Sequence, residues 1–519
     1  MKKLIFTLLI LAISQTLSAQ NEPDWVVAAV EYQKEGVMMD VDADNNAIIA
    51  GDRLSYLGAA HIYVRKFDVL GNLLWEQTDM SGVAGTYEKA AWVNVDSGNN
   101  IYVCGYRYSG TSNMYPDTII ALKYDPAGNL LWKRQFPDSY LGGLPMRSEL
   151  DASGNFYIGT MNTSPPGFNL YKLDPAGTLL FHVADSSTSN VSFNNMRIKD
   201  DKVVMTGYAS LGSIACVVEF DTTGNFLWGN NFSTWGAMDL EIDSAHNVYF
   251  ISRQENQISP NSSFDVKLFK LNPNGSLDTS YSYDFGNSVD FVDRMTLVNG
   301  KISIIGWAYT SGMNWLTMQT DMNGNLLWHA IYDETNFNDE IPYWISAKPN
   351  GEVFVSGKGG PDTVSATGSA YVRNVTLKYN NGQIVWVDAD PYQGYNGLVN
   401  KIASDSSLFV LGETAMTAIH YFDINVNTNI VSEKSENNLA VVPNPTNGFT
   451  VLNIDLPKPA SVQLEVFDVR GRLVKKQTNL QLKQGSNSIP LDLSTADPGI
   501  YFGKIESADF SRTVKIIVR

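Results

Sequence analysis

Ten residues recur along this chain with little change: KFDVLGNLLW at 66–75, KYDPAGNLLW at 123–132, EFDTTGNFLW at 219–228 and QTDMNGNLLW at 319–328. Aligned on the aspartate, the copies fall at Asp68, Asp125, Asp174, Asp221, Asn272, Asp321 and Asn380, spaced 57, 49, 47, 51, 49 and 59 residues apart. At 519 residues the chain is too long for one compact sandwich, and a period of about 50 residues points to one repeat array in place of several unrelated domains. A second half-motif precedes every copy: a polar turn, an alternating apolar run, then glycine, as in NNIYVCG (99–105), KVVMTG (202–207), KISIIG (301–306) and EVFVSG (352–357). Eight copies of this half stand against seven clear copies of the first, whose eighth place is degenerate at HYFDINVNTNIV (420–431).

Each ten-residue copy reads as a hairpin. Lys/Glu-aromatic-Asp ends one strand, the Asp side chain caps the turn, Gly supplies the positive φ, and Asn-Leu-Leu-Trp opens the next strand. Alternation then puts Trp75, Trp132, Trp228, Trp328 and Trp386 on one sheet surface, where a flat ring packs against the neighbouring unit; Phe181 and Leu277 stand at the two exceptions. The predicted body is all-β, an eight-bladed β-propeller over residues 21–431, with seven blades as the alternative count. Trp25 lies 17 residues before Asp42, much as Trp132 lies 19 before Asp151, so an N-terminal strand is expected to complete the last blade and remove both loose edges.

The spacing Asp-x-x-Gly-x-x-x-Trp resembles the tryptophan-docking motif of pyrroloquinoline-quinone-type propellers, over about residues 25–430. The resemblance implies architecture. Dehydrogenases of that family hold a calcium-bound quinone beside a vicinal disulfide, whereas this chain has no Cys-Cys pair and is more similar to members that keep the blades without the cofactor. No quinone is therefore expected.

The first 20 residues carry Lys2 and Lys3, the apolar run LIFTLLILAI and a small-residue end at Ser18-Ala19, the order of a secretory signal peptide. That run is too short to span a membrane, and no other stretch approaches ~18 consecutive apolar residues, so no transmembrane segment is expected. Cys104 and Cys216 sit in non-neighbouring repeats and read as two buried free thiols. The net charge of −17 is concentrated in residues 21–435, which carry −21; an acidic body repels phosphate backbones and argues against nucleic acid as a partner.

After a polar linker at 432–438, the runs FTVLNIDL, SVQLEVFD, NSIPLDL, IYFGKI and TVKIIV are separated by turn residues and read as a small Ig-like β-sandwich over 439–519. The segment resembles the type A C-terminal sorting domain of the type IX secretion system of Bacteroidetes. Pro443, Asn444 and Pro445, then Gly471 with Arg472, then Gly499 and Tyr501, then Lys515 occur in family order. The resemblance implies export by Sec and then across the outer membrane, with the type IX translocon and a sortase-like peptidase as partners. The cargo would end at the cell surface or in the medium.

Chemistry is harder to find. Asp40, Asp42 and Asp44 in DVDADNN resemble the start of a calcium loop, but the same place in other repeats reads NVDSGNN, ELDASGN and EIDSAHN, a hairpin turn with one recurrent Asp. Calcium there is the one metal expectation. His61, His182, His246, His329 and His420 are scattered without ligand spacing, and neither a G-x-S-x-G elbow, a Walker loop nor a Cys-His cluster is present. Paired carboxylates brought together from separate blades at a central channel stay open as an enzymatic alternative. Tyr106, Tyr108, Trp235, Trp307, Trp315, Tyr392 and Tyr395 read either as covers of blade edges or as a binding rim. The reading is an exported binding or adhesion protein for a glycan or protein ligand, without assigned catalytic residues; the alternative is a secreted propeller hydrolase, lyase or quinone-dependent oxidoreductase.

Overall fold

The structure is a computed structural model. It describes residues 25–27, 34–54, 60–79, 86–109, 116–137, 146–163, 166–185, 191–209, 212–258, 261–285, 290–309, 312–333, 340–359, 373–389, 397–412, 418–421, 439–442, 444, 446, 448–456, 458–468, 472–496, 499–507 and 511–518. The expected signal segment and linker lie outside these. The chain forms two compact units, 1–425 and 426–519. Among the described residues no helix is long and apolar enough to cross a membrane.

In the first unit the described strands form eight four-stranded antiparallel sheets, the first made of Lys34–Val41, Ala47–Leu54, Ala60–Phe67 and Leu73–Asp79. The leading strands of the eight sheets are Lys34–Val41, Thr86–Val95, Arg147–Leu150, Ser192–Lys199, Trp235–Ile242, Asp290–Val298, Ile341–Ala347 and Gly397–Ile402. Each touches the next in chain order, and the last touches the first, so the sheets close into a ring, a β-propeller. In the eighth sheet the outer strand is Trp25–Val27, paired with Ala418–Tyr421 through Trp25 opposite His420. This explains why the ten-residue motif degenerates at its eighth place: the N-terminal strand stands where Asn-Leu-Leu-Trp would.

Most hairpins use one turn device, with two-residue turns at 200–201, 299–300 and 381–382 in its place. Asp68 Oδ1 accepts the N–H groups of Leu70 (2.9 Å) and Asn72 (2.8 Å), while Oδ2 accepts Asn72 Nδ2 (2.9 Å). Asp42, Asp96, Asp151 and Asp243 repeat the arrangement in the first hairpin of their sheets with Asn46, Asn100, Asn155 and Asn247. The left-handed position falls to Asn45, Asn99 and His246 there, which accounts for His246 as a turn residue with φ of 63°.

The docking aromatics act between sheets. The Trp75 ring lies under Gly128, the turn glycine of the next copy, where an added Cβ would come within 2.6 Å of the ring, and its Nε1 donates to Pro126 O (3.0 Å). Trp132 does the same under Gly177, donating to Pro175 O (3.1 Å). The motif lysine reinforces this contact, since Lys66, Lys123 and Lys172 donate to Pro126 O, Pro175 O and Thr222 O of the following turn. Phe181 lies under Gly224, Trp228 under Gly275 and Trp328 under Gly382, while Trp386 packs with Phe354, Leu408 and Val410. The reading of Leu277 as a docking position needs correction. Trp75 stands opposite Lys66, but in the fifth sheet Thr279 stands opposite Lys270, and Leu277 opposite Leu271. Tyr281, two residues beyond Thr279 on the same face, supplies the ring under Gly324. Replacing Trp132, which is 8% exposed, by Ala is expected to cost about 3 kcal/mol in urea denaturation, since it removes a buried ring and its carbonyl bond together.

Cys104 and Cys216 are buried free thiols in different sheets, and burial pushes both up to about 12.

The second unit has a three-stranded sheet, Leu439–Val442, Phe449–Leu456 and Gly485–Asp492, and a four-stranded sheet in the order Leu473–Leu482, Ala460–Asp468, Gly499–Glu506 and Ser511–Val518. Leu452, Ile454, Leu464, Val466, Leu491, Tyr501 and Ile516 form its core. Leu473–Leu482 escaped the alternation reading because it is polar and largely exposed. Asn444 Nδ2 donates to Lys515 O (2.9 Å), and its Oδ1 accepts Ile517 N–H (2.8 Å), so the side chain pairs with the last strand as a strand would. Pro443, Pro445 and Gly471 lie outside the described residues.

Candidate functional site

The leading strands surround a central channel. Two residues before each hairpin turn, sheets two to eight place Asn94, Glu149, Arg197, Glu241, Thr296, Ser346 and Lys401 around one cavity of about 410 Å³. Asp40 occupies the same place in the first sheet and meets Lys401 Nζ at 3.3 Å. The sequence carried this signal: the quoted turns DVDADNN, NVDSGNN, ELDASGN and EIDSAHN open on these channel residues, each polar within an apolar strand.

Simple alternation fails farther along the same strands. Leading strands carry an extra residue, with register breaks at Ala90/Trp92, Phe193/Asn195, Val292/Arg294 and Pro342/Trp344. A bulge re-aims the side chains beyond it. Trp92, Asn195, Arg294 and Trp344 lie just past the breaks, two residues before Asn94, Arg197, Thr296 and Ser346 and in phase with them, and line the cavity. Trp92 and Trp344, from sheets on different sides of the ring, meet with centroids 5.9 Å apart. These two tryptophans stand outside the Asp-x-x-Gly-x-x-x-Trp spacing by which the sequence marks its recurrent tryptophans, although alternation from Asn94 and Ser346 puts them on the channel face.

Arg197 sits among three carboxylates: Glu149 at 3.4 Å, Asp239 at 3.6 Å and Glu241 at 3.4 Å. Burial by itself would lower the guanidinium, but Glu241, Asp239 and Glu149 hold it charged. Two of the carboxylates also tie sheets together, Glu149 accepting Ile198 N–H (2.7 Å) and Asp239 accepting Met295 N–H (2.9 Å). Glu241 has no such backbone donor among the bonds described, and burial pushes its carboxyl up to about 7 against the pull of Arg197, with Asp239 and Glu149 adding to the rise. The native state thus keeps a proton that the unfolded chain releases from about pH 4.5, and stability falls as pH rises from about 4.5 through 7. Glu241→Gln is expected to remove about 2 kcal/mol of that fall, read from urea titrations at low and high pH.

The three aspartates considered for calcium are directed at different partners. Asp42 is buried in its own turn and paired with Lys66 (2.8 Å), Asp44 accepts Asn99 Nδ2 (2.8 Å), and Asp40 accepts Val95 N–H (3.0 Å) beside Lys401. Among the described residues no group of three or more His, Cys, Asp or Glu is arranged to hold a metal. His182 stacks on Tyr171 at 4.0 Å, and His329 packs on Phe285. Of the rim aromatics, Trp315 is buried with Nε1 donating to Lys358 O, Trp307 stacks on Phe291, Trp235 meets Phe264 edge-on and Tyr106 meets Tyr108. Tyr392 and Tyr395 lie outside the described residues.

Residues 440–519 match the family model described as a secretion system C-terminal sorting domain. The C-terminal unit is a sorting domain. The protein is exported by the type IX secretion system to the cell surface or the medium, and the sorting domain implies interaction with that machinery. No curated protein matches the chain. Among solved structures, the Dos1 propeller is 11% identical with a TM-score of 0.48, covering 77% of this chain and 94% of that one. PorZ, a surface component of the type IX system of Porphyromonas gingivalis, is 10% identical with a TM-score of 0.24, covering 94% and 82%. A functionally unknown protein from Desulfotomaculum acetoxidans is 13% identical with a TM-score of 0.35, covering 57% and 84%.

Proposed function

We propose that this sorted protein is an extracellular binding or adhesion protein: an eight-bladed propeller, delivered by an Ig-like sorting sandwich, that holds a glycan or peptide ligand in its channel. The cavity of about 410 Å³ carries the reading. Seven strands each send a polar side chain into it from rigid backbone, beside an indole pair, and a few fixed polar groups around an aromatic surface suit a small ligand or a chain end. A sortase-like peptidase that removes the sorting domain completes the reading of its delivery.

Thr296→Trp places a large ring in the cavity without touching the charged groups. In calorimetry against extracellular glycans and peptides, the variant is expected to bind about 100-fold more weakly than the wild-type chain with unchanged thermal stability. A ligand bound equally by both would place the binding surface elsewhere.

Glu241 favours a second reading. A carboxyl titrating near 7 and Glu149, on the two ends of Arg197, supply the acid and the base of a carbohydrate-active hydrolase or lyase. Release of new reducing ends, lost in Glu241→Gln while binding persists, would establish the enzyme; binding without release would leave the adhesion reading.

A further inference from the structure

Arg197 shows how this fold neutralises a guanidinium in the channel, by three carboxylates within 3.6 Å. Two other arginines, Arg294 in the cavity lining and Arg147 against the lining ring of Trp92, are treated differently. The Arg147 guanidinium lies 4.4 Å from the centre of the Trp92 ring and that of Arg294 4.9 Å from the centre of Trp344, with the two indoles 5.9 Å apart. The sequence Arg147, Trp92, Trp344, Arg294 is thus one continuous stack contributed by four sheets. The Nε atoms of Arg147 and Arg294 are buried and meet no acceptor. Arg147 makes one bond, Nη1 to Met146 O at 3.2 Å, and forms no ion pair among the described residues. Arg294 has Asp293 at 3.7 Å, beyond hydrogen-bond length. A third arginine, Arg253, lies 4.4 Å from the centre of the Phe291 ring, and its Nε is likewise buried without an acceptor.

A buried guanidinium with unmade bonds costs several kcal/mol unless an acceptor arrives. The aromatic faces satisfy its flat sides and leave the in-plane N–H groups, which are the ones that fork onto an oxyanion. Nearby carboxylates do not make the missing bonds: Asp239 is engaged by Asn195, Leu240 N–H and Met295 N–H, and Asp293, whose charge is felt by Arg294, Arg147 and Arg253 alike, leaves the Nε atoms of all three without an acceptor. Burial, and then the neighbouring charge of Arg294, lower Arg147 to about 9 against the opposing pull of Asp239 and Asp293, the direction expected where positive charge is buried and only partly balanced.

We propose that the channel binds an oxyanion group of its ligand, a carboxylate, sulfate or phosphate, on Arg147 and Arg294 beside the Trp92–Trp344 pair. This names the ligand class for the channel and rests on the channel being the binding site. The acidic cluster at Glu149, Asp239 and Glu241 then lies around a different part of the ligand, so an acidic saccharide would present its anion to the arginines and its hydroxyls to the carboxylates.

The test is calorimetry on the full chain at fixed ionic strength with sodium sulfate, inorganic phosphate, a galacturonate oligomer and a neutral galactose oligomer. The expected result is binding of at least one anionic probe, weakened about 10-fold or more in Arg147→Gln and in Arg294→Gln and unchanged in Lys270→Gln, whose wild-type lysine stands outside the cavity and is paired with Asp278. Arg147→Lys keeps the charge and loses the fork, so a loss in this variant too would support the guanidinium geometry. Should the glutamine variants fail to fold, the galacturonate oligomer raising the wild-type Tm above its value with the neutral galactose oligomer at equal ionic strength supports the site. Sulfate bound as well as galacturonate would show that the oxyanion suffices, and galacturonate alone would show that the sugar contributes; either supports the proposal. Neutral but not anionic probes bound in the channel would overturn it while leaving the channel as a binding site. An anion bound equally by wild type and both glutamine variants would also overturn it. If neither class of probe binds, both readings fall.

Discussion

Gly306→Ala is expected to cost about 4 kcal/mol or more and to prevent the sixth sheet from forming its native register. Gly306 ends KISIIG, one of the eight second half-motifs, and stands opposite Val292, the residue just before a bulge. A Cβ there would lie 1.8 Å from Phe291 O and 2.7 Å from its carbonyl carbon. Those are backbone atoms, so no rotamer change relieves the clash; the strand itself must move, and with it Arg294, which the bulge directs into the channel. Gly105 faces Lys89 O at 2.2 Å, Gly207 faces Ser192 O at 2.0 Å and Gly357 faces Ile341 O at 2.3 Å, so the same device recurs in four sheets. Gly98→Ala is the control, since its Cβ would meet only side-chain atoms, at 3.2 and 3.3 Å, and a loss below about 1 kcal/mol is expected. Urea denaturation of both variants decides the matter, and a Gly306→Ala protein as stable as Gly98→Ala would show that the bulge is dispensable.

Deletion of residues 440–519 is expected to abolish delivery, leaving the body inside the outer membrane with none on the cell surface or in the medium. The body has its own core and closes its own ring through Trp25–Val27, so the truncated protein should still fold, and its retention would report on sorting and not on misfolding. Asn444→Ala gives a graded version. It removes two hydrogen bonds to the last strand and is expected to destabilise the sorting unit by about 1–2 kcal/mol, lowering delivery in proportion to the unit unfolded. Fractionation followed by immunoblotting reads both variants; normal surface delivery of the truncation would sink the sorting assignment.

Trp75 and Trp132 were legible as inter-sheet packing because a hairpin motif and its neighbour lie close in sequence and period-2 alternation holds between them. Tyr281 is not legible in this way, because its ring reaches the docking place from two residues beyond Thr279, where the spacing carries no aromatic. Asp42 was legible as a turn residue from its recurrence, and the turn occupies it fully with Asn46 and Lys66.

Residue patterns alone were enough for the period of the body, the two hairpin turns of each repeat, the buried thiols and the destination of the protein, because each rests on local spacing or on a segment recognisable residue by residue. The channel came only with the folded ring. Arg147, Trp92, Trp344 and Arg294 belong to four sheets and span residues 92 to 344, so only closure of the ring brings them together. Three of the four stand just after register breaks and in phase with the channel residues two places on, so alternation gives their face, but which residues meet across the channel depends on how eight sheets close into a ring, and no local spacing carries that.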